Sequence, residues 1–396
     1  MDDTELWKLA PECVFKPWGL VHEQAAGFTG LKIGVGEIWL ASAQTGAGNY
    51  SNTVAEPNLR ATLAELLDRA EDQGDRALKA LIGAPALTHL EENPHRGKTE
   101  AWCVRDAVGR CGFAAGPASP EDAARLEEVI LEGDLPPHPE EWSDEVRRLF
   151  GLIEPLEGGE IFLVPAGTLH TMFAIGPDSR LVIDELQQGY GECLLPTLSK
   201  ILMVQDSLLS VQVHPDDGTV AAAAEGDLDV DQDLQANPTV RVYDFGRRPG
   251  EYPELGFKLV DPEAGLRRVT PLTIEAQDGQ TIEFVTGAGP FLKSRIRVAP
   301  GRDCPIAPCF GSYHVLHCVT GHAELSAGEG RIRLSRGETA FVPAALETDL
   351  RIAAEDGCEL FDDTFPVLMD LRSFLAANDV SRQDADALLD PPRADG

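Results

Sequence analysis

Two stretches of the chain share one spacing: GGEIFLVPAGTLHTM (residues 158–172) and RGETAFVPAALETDL (336–350). In the first, five residues separate Gly159 from Pro165; in the second, five separate Gly337 from Pro343. Each gap holds an apolar run of strand character bounded by turn residues. Beyond the proline the copies diverge. The first continues with Gly167 and His170, and the second has Ala345 and Thr348 at those places. One β unit used twice is the reading, with a polar site kept in the first copy and lost in the second.

Working outward, the same signature fills most of the chain. EIFLVPAG, RLVIDELQQ, KILMV, LLSVQVH and VRVYDF read as strands, the pattern restarts around 262–270, and strand-like runs continue to CELFDD. The spacing G-x5-P-x-G-x2-H resembles the second conserved motif of the cupins, which are small metal-binding β-barrels. The expected fold is therefore mainly β, with two cupin-like β-barrel (jelly-roll) domains and a few helices in the N-terminal half. Residues 1–262 would form a catalytic metal-binding domain, 263–369 a degenerate cupin-like domain and 370–396 a helical, flexible tail. Helical insertions are expected at about 58–82, with Leu59, Leu63, Leu66 and Leu67 on one face and Gly83 as the stop, and at about 119–150. There Ser119 and Ser143 would open two helices. AAAAEGDLDVDQDLQANP (221–238) reads as a solvated acidic loop.

Charge narrows the function. Sixty-six acids against 33 bases leave a net charge of −33. Nucleic acid and anionic membranes are polyanions, so both are disfavoured partners. An anionic small substrate would need basic residues concentrated at its site. The first residues carry no basic and apolar export pattern, and the eight cysteines form no CxxC pair, so reduced thiols in the cytoplasm are expected. Either a monomer or a homodimer fits.

In LSVQVHPDD (209–217), Val211 and Val213 alternate with Gln212 and His214. Side chains alternate across a strand, so Gln212 and His214 share the face opposite the valines. In RGKTEAW, Lys98 and Glu100 are likewise two apart. Two histidines, a glutamate and a nearby amide oxygen suit one divalent ion such as zinc, with room left for a substrate.

These residues carry a family resemblance. GKTEAW (97–102), PAGTLH (165–170), ELQQ (185–188), KIL (200–202), LSVQVHPDD (209–217) and RVYDF (241–245), with KPWG (16–19) and GEIWLAS (36–42), resemble class I mannose-6-phosphate isomerase. The resemblance spans about residues 14 to 260 and is weaker beyond. It implies Gln212, His214, Glu100 and His170 as ligands of one zinc or other divalent ion per chain. It also implies aldose–ketose isomerisation of a sugar phosphate, mannose 6-phosphate to fructose 6-phosphate through an enediol. Lys98 is then a candidate for proton transfer or substrate contact and Arg241 for the enediolate or the phosphate. Lys200 is a further phosphate candidate, and Glu185 and Asp216 are either partners that orient ligands or turn and cap acids. One feature departs from the family: the KIL…SVQVHPDD unit follows ELQQ here instead of preceding GKTE. A relocated hairpin, joined near Gln205-Asp206 and returned to the same place in the sheet, would restore the site.

Other features are weaker. His314 and His317 are three apart on a strand and face opposite sides, so they cannot chelate as a pair. Gly34 and Gly36 are not followed by a dinucleotide fingerprint. The competing functions are a cupin enzyme acting on another sugar phosphate, an iron-type cupin oxygenase, against which Gln212 counts, and a catalytically silent sugar-binding or regulatory protein.

Overall fold

A computed structural model describes residues 5–16, 18–20, 35–45, 51–55, 61–133, 135–136, 138–190, 193–226, 234, 238–245, 252–276, 279–287 and 291–391. The strands, in chain order, are β1 (Trp7–Leu9), β2 (Glu12–Val14), β3 (Glu37–Ala41), β4 (Glu100–Gly116), β5 (Ile161–Val164), β6 (Leu169–Gln188), β7 (Thr197–Gln205), β8 (Ser207–Leu208), β9 (Val211–Val213), β10 (Val240–Tyr243) and β11 (Arg267–Arg268). They continue with β12 (Leu272–Glu275), β13 (Gln280–Thr286), β14 (Leu292–Val298), β15 (Arg302–Pro305), β16 (His314–Ala327), β17 (Gly330–Ser335), β18 (Thr339–Val342), β19 (Arg351–Ala354) and β20 (Cys358–Thr364). Among the described residues these strands form two ten-stranded sheets. The first runs β11-β5-β4-β6-β7-β3-β2, with β8 and β9 also on β6 and β10 on β9. The second runs β1-β18-β16-β20-β14-β13-β12, with β15, β17 and β19 joined through β16. The protein is thus mainly β with two large sheets, in keeping with the cupin-like expectation.

The two repeated stretches occupy matching places. Gly159 and Gly337 both adopt positive φ, +94° and +86°, where a side chain would be strained. Each glycine is followed by an apolar strand, β5 or β18. The two sheets exchange edges: β1 pairs with β18, and β11 pairs with β5. A division at residue 262 therefore separates the bulk of the two sheets but not their outermost strands.

The long apolar runs follow from burial on both faces. On β4, Trp102 and Val104 pack with Phe113, Phe162 and Ile183 inside the first half. Their neighbours Ala101 and Cys103 point the other way. They share a core with Leu163 and Leu186 and with Phe284, Leu292 and Phe361 of the second sheet. A polar clamp crosses the same interface, where Asp363 accepts from Lys293 Nζ at 2.7 Å and from the Ser199 hydroxyl at 2.6 Å.

Four local expectations are corrected. The helix expected over 58–82 is two helices, Leu63–Asp72 and Asp75–Ile82, because Gly74 (φ +96°) breaks the run; Leu59 lies outside the described residues. Gly83 does end the second, but a further helix, Ala84–Glu92, follows with Pro85 in its first turn, where a missing N–H costs nothing. Ser119 donates its hydroxyl to Asp122 instead of capping, and a 3₁₀ turn precedes the helix Ala123–Leu131; Ser143 caps Asp144–Leu149 as expected. The acidic loop is helical at its start, over Asp217–Glu225.

The relocated segment is also not a hairpin. β7, β8 and β9 do not fold back on one another. All three pair with β6, at Arg180↔Gln205, Ala174↔Ser207 and His170↔Gln212. Residues 197–213 therefore form one kinked path along β6, bending at Asp206, whose φ is +42°. This path sets Gln212 directly opposite His170.

His314 lies in the second half. Its Nδ1 is 3.0 Å from Asp362 and its Nε2 is 3.3 Å from Glu347, while His317 meets Thr339. Burial lowers the basicity of His314, but the two carboxylates outweigh it and raise its pKa to about 10 from an ordinary 6.5. A folded pKa above the unfolded one gives stability that is complete below pH 6.5 and lost as pH rises towards 10. Urea midpoints measured from pH 6 to 10 should fall for the parent and stay nearly flat over that window for His314→Gln.

All eight cysteines are free thiols. Among the described residues no helix is long and apolar enough to cross a membrane.

Candidate metal centre

Three strand ends meet at one mouth of the first sheet. Glu100 opens β4, His170 is the second residue of β6, and His214 follows β9 after Val213. Each chain has turned just there: Pro165 and Gly167 bend the path before His170, and Pro215 ends the path after His214. Glu100, His170 and His214 are buried, and one donor atom from each lies within 4.8 Å of the others. Glu100 Oε1 is 3.1 Å from His214 Nε2, and Glu100 Oε2 is 3.8 Å from His170 Nε2. The Gln212 amide nitrogen is 3.2 Å from His170 Nε2. A half-turn of that amide would present its oxygen to the same centre. The four ligand candidates thus converge despite the changed chain order.

The histidines are oriented from behind. His170 Nδ1 is 2.9 Å from the Thr168 carbonyl, and His214 Nδ1 is 3.0 Å from the Pro238 carbonyl. A carbonyl only accepts, so each Nδ1 carries the proton and each Nε2 turns a lone pair inward, as metal-binding histidines require. The Trp102 indole N–H donates to Glu100 Oε2 at 3.1 Å. Burial pushes the His214 pKa down to about 3, helped by Lys98, and burial likewise lowers His170, against the pull of Glu100. Burial would raise the Glu100 carboxyl, but Lys98 and the histidines bring it well below the ordinary range. A carboxylate and an imidazole lone pair 3.1 Å apart repel unless a cation or a proton lies between them. Lys98 Nζ fills part of that role, 2.7 Å from Glu100 Oε1 and 3.3 Å from His214 Nε2. The donor set, one carboxylate and two imidazoles with an amide beside them, fits a zinc-like ion.

The centre opens into a cavity of about 290 Å³. Lys16, Lys98, Lys200 and Arg241 line it together with Glu37, Glu100 and Glu185. Lys16 pairs with Glu37 at 3.0 Å, Lys98 with Glu100 at 2.7 Å and Lys200 with Glu185 at 3.0 Å, so this lining holds one more cation than acids in a chain with twice as many acids as bases. Arg241 on β10 is in register with Gln212. Lys200 Nζ is 3.0 Å from Glu185 Oε1 and sits 5.9 Å above the Trp39 ring. Burial and the nearby Glu100 push the Glu185 carboxyl up to about 7, with Lys200 and Lys98 opposing.

Of the sequence-predicted residues, Glu100, His170, His214, Gln212, Lys98 and Arg241 lie together at this mouth; Glu185, weighed as an orienting or a turn acid, and Glu37, not singled out, also line the cavity. The available signal was strand period two, which puts Glu185 on one face with Gln187 and Glu37 on one face with Trp39; all four line the cavity. Asp216 takes the second of its two readings, a helix cap accepting the Thr219 N–H at 2.7 Å.

No family model and no curated protein match the sequence. Solved structures do match. A mannose 6-phosphate isomerase from Bacillus subtilis superposes over 91% of this chain and all of its own, at 18% identity and a TM-score of 0.56. A mannose 6-phosphate isomerase from Salmonella typhimurium, solved with its substrate fructose 6-phosphate and zinc, covers 92% of this chain and all of its own, at 12% identity and a TM-score of 0.52. Identities this low show a shared fold, which is that of the mannose-6-phosphate isomerases.

Proposed function

We propose that the protein is a divalent-metal-dependent aldose–ketose isomerase interconverting mannose 6-phosphate and fructose 6-phosphate. The observation that carries this reading is the convergence of Glu100, His170, His214 and Gln212 on one buried point beside a cavity lined by four cations. A zinc ion held by Glu100, His170 and His214, with Gln212 beside them, would supply positive charge next to the sugar oxygens that become negative in the enediolate.

The remaining work falls to the chain. Isomerisation moves one proton from C2 to C1 of the open-chain sugar and one between the two oxygens, with no net change in atoms. A base is needed whose pKa lies near the working pH. Glu185, raised to about 7 by burial and by Glu100, meets that condition and faces the cavity. It would take the C2 proton and return it to C1. Lys98 and Arg241 would hold the developing enediolate, and Lys200 and Lys16 would meet the phosphate. The buried wall of Trp18, Trp39 and Trp102 excludes water from the reacting carbons.

Turnover of mannose 6-phosphate should vanish when metal is stripped by a chelator and return when zinc is added back. Zinc bound without turnover would redirect the reading to another sugar phosphate or to a silent binding role. Absence of both zinc binding and turnover would overturn it.

A further inference from the structure

The metal reading leaves open how two ligand segments from distant parts of the chain are held in register. Glu100 is positioned by residues 97–100, and Gln212 and His214 by residues 209–217. No pairing between β4 and β9 joins them, because β6 lies between. What joins them is a seam just outside the centre. The Lys98 N–H donates to the Pro215 carbonyl at 3.1 Å. The Gly97 N–H donates to Asp217 Oδ1 at 2.8 Å, and the Gln188 amide donates to the same oxygen at 3.2 Å. Gln188 ends β6, and its own N–H donates to the Thr99 carbonyl at 2.9 Å. One carboxylate oxygen therefore gathers the entry of β4, the exit of β6 and the turn after β9. The segments pass so close that a Cβ on Gly97 would lie 2.1 Å from the Pro215 carbonyl oxygen. Only glycine allows this approach. On the far side, the Gly167 N–H donates to the His214 carbonyl at 2.6 Å, tying in the turn that precedes His170.

We propose that Asp217 is a positioning residue for the metal centre: its carboxylate clamps Gly97 and Gln188 to the His214 turn and so sets the Glu100-to-His214 spacing. The proposal rests on the metal reading above. The neighbouring Asp216 is exposed; its backbone packs against Gly97, but its carboxylate accepts from the Thr219 N–H as the cap of the helix Asp217–Glu225, which separates the cap from the clamp.

The test uses the full chain loaded with zinc. Zinc affinity is measured by competition with a chromophoric chelator, and hydrogen exchange is followed at the Gly97 and Lys98 amides. Removing a partner that orients a metal ligand typically weakens affinity about 10–100-fold. Asp217→Ala should fall in that range and should speed exchange at both amides. Asp217→Asn keeps an oxygen that accepts from Gly97 and should stay within about threefold of the parent. Asp216→Ala should lose the cap and leave zinc affinity unchanged. Parent-like zinc affinity in Asp217→Ala would overturn the proposal, as would an Asp216→Ala that weakens zinc as much as Asp217→Ala. A parent that binds no zinc would sink the metal reading instead. The clamp is then decided by exchange alone, and unchanged exchange in Asp217→Ala overturns it.

Discussion

His170→Ala should abolish isomerisation, lowering turnover of mannose 6-phosphate by at least about a thousandfold, and should weaken zinc binding in parallel. The size follows from what the imidazole does. Its Nε2 is one of three inward-facing donors, and its Nδ1 is spent on the Thr168 carbonyl. Alanine leaves Glu100 and His214 as a two-donor set with Gln212 no longer facing a partner. Several kcal/mol of charge stabilisation at the enediolate would go with the ion, and each 1.36 kcal/mol is tenfold in rate. The fold should survive, because the ring stands edge-on to Trp102 at 5.3 Å within a core built mainly from other residues. Steady-state kinetics with zinc at saturating and limiting levels make the check. Turnover within tenfold of the parent would remove His170 from the site and favour the silent binding reading, under which sugar binding survives the substitution.

The second large effect concerns Glu185. Glu185→Gln keeps the volume and the hydrogen-bonding reach but cannot take a proton. Loss of a general base costs about 10²–10⁴ in turnover. The pH dependence gives a signature that a structural role lacks. The carboxylate is the active form, so kcat/KM of the parent should rise with pH and level off once the group has ionised; burial and the Glu100 charge raise its pKa, and an ion bound to Glu100 would offset the second of these. In Glu185→Gln that ascending limb should disappear from whatever activity is left. If instead the limb persists, the proton is moved elsewhere, and Lys98, which touches both Glu100 and His214, becomes the next residue to substitute.

Much of this site was legible because strand alternation is a local property. Val211 and Val213 against Gln212 and His214 requires only a period of two, and the core on one side with the metal candidates on the other follows. The same rule places Lys98 with Glu100. The glycine and proline spacing shared by 158–172 and 336–350 marks two equivalent strands, since positive φ and a fixed proline ring act on their own residues. Helix starts were legible where a cap acts within three residues, as at Ser143, and misread where a hydroxyl found a side chain, as at Ser119.

Other features depend on partners far along the chain. Nothing local distinguishes a hairpin at Gln205-Asp206 from a strand path that bends and continues; the length of β6 settles it by offering pairing along its whole course. Nothing local sends Trp7 to Phe341 instead of to its own half. Asp216 and Asp217 are the same residue type side by side. One caps a helix and the other reaches Gly97, a difference made by which backbone N–H groups the fold brings within 3 Å. The raised pKa of Glu185 is likewise a product of burial beside Glu100, 85 positions earlier in the sequence. Side-chain chemistry and strand period are written residue by residue, whereas burial, charge proximity and register exist only once distant segments have met.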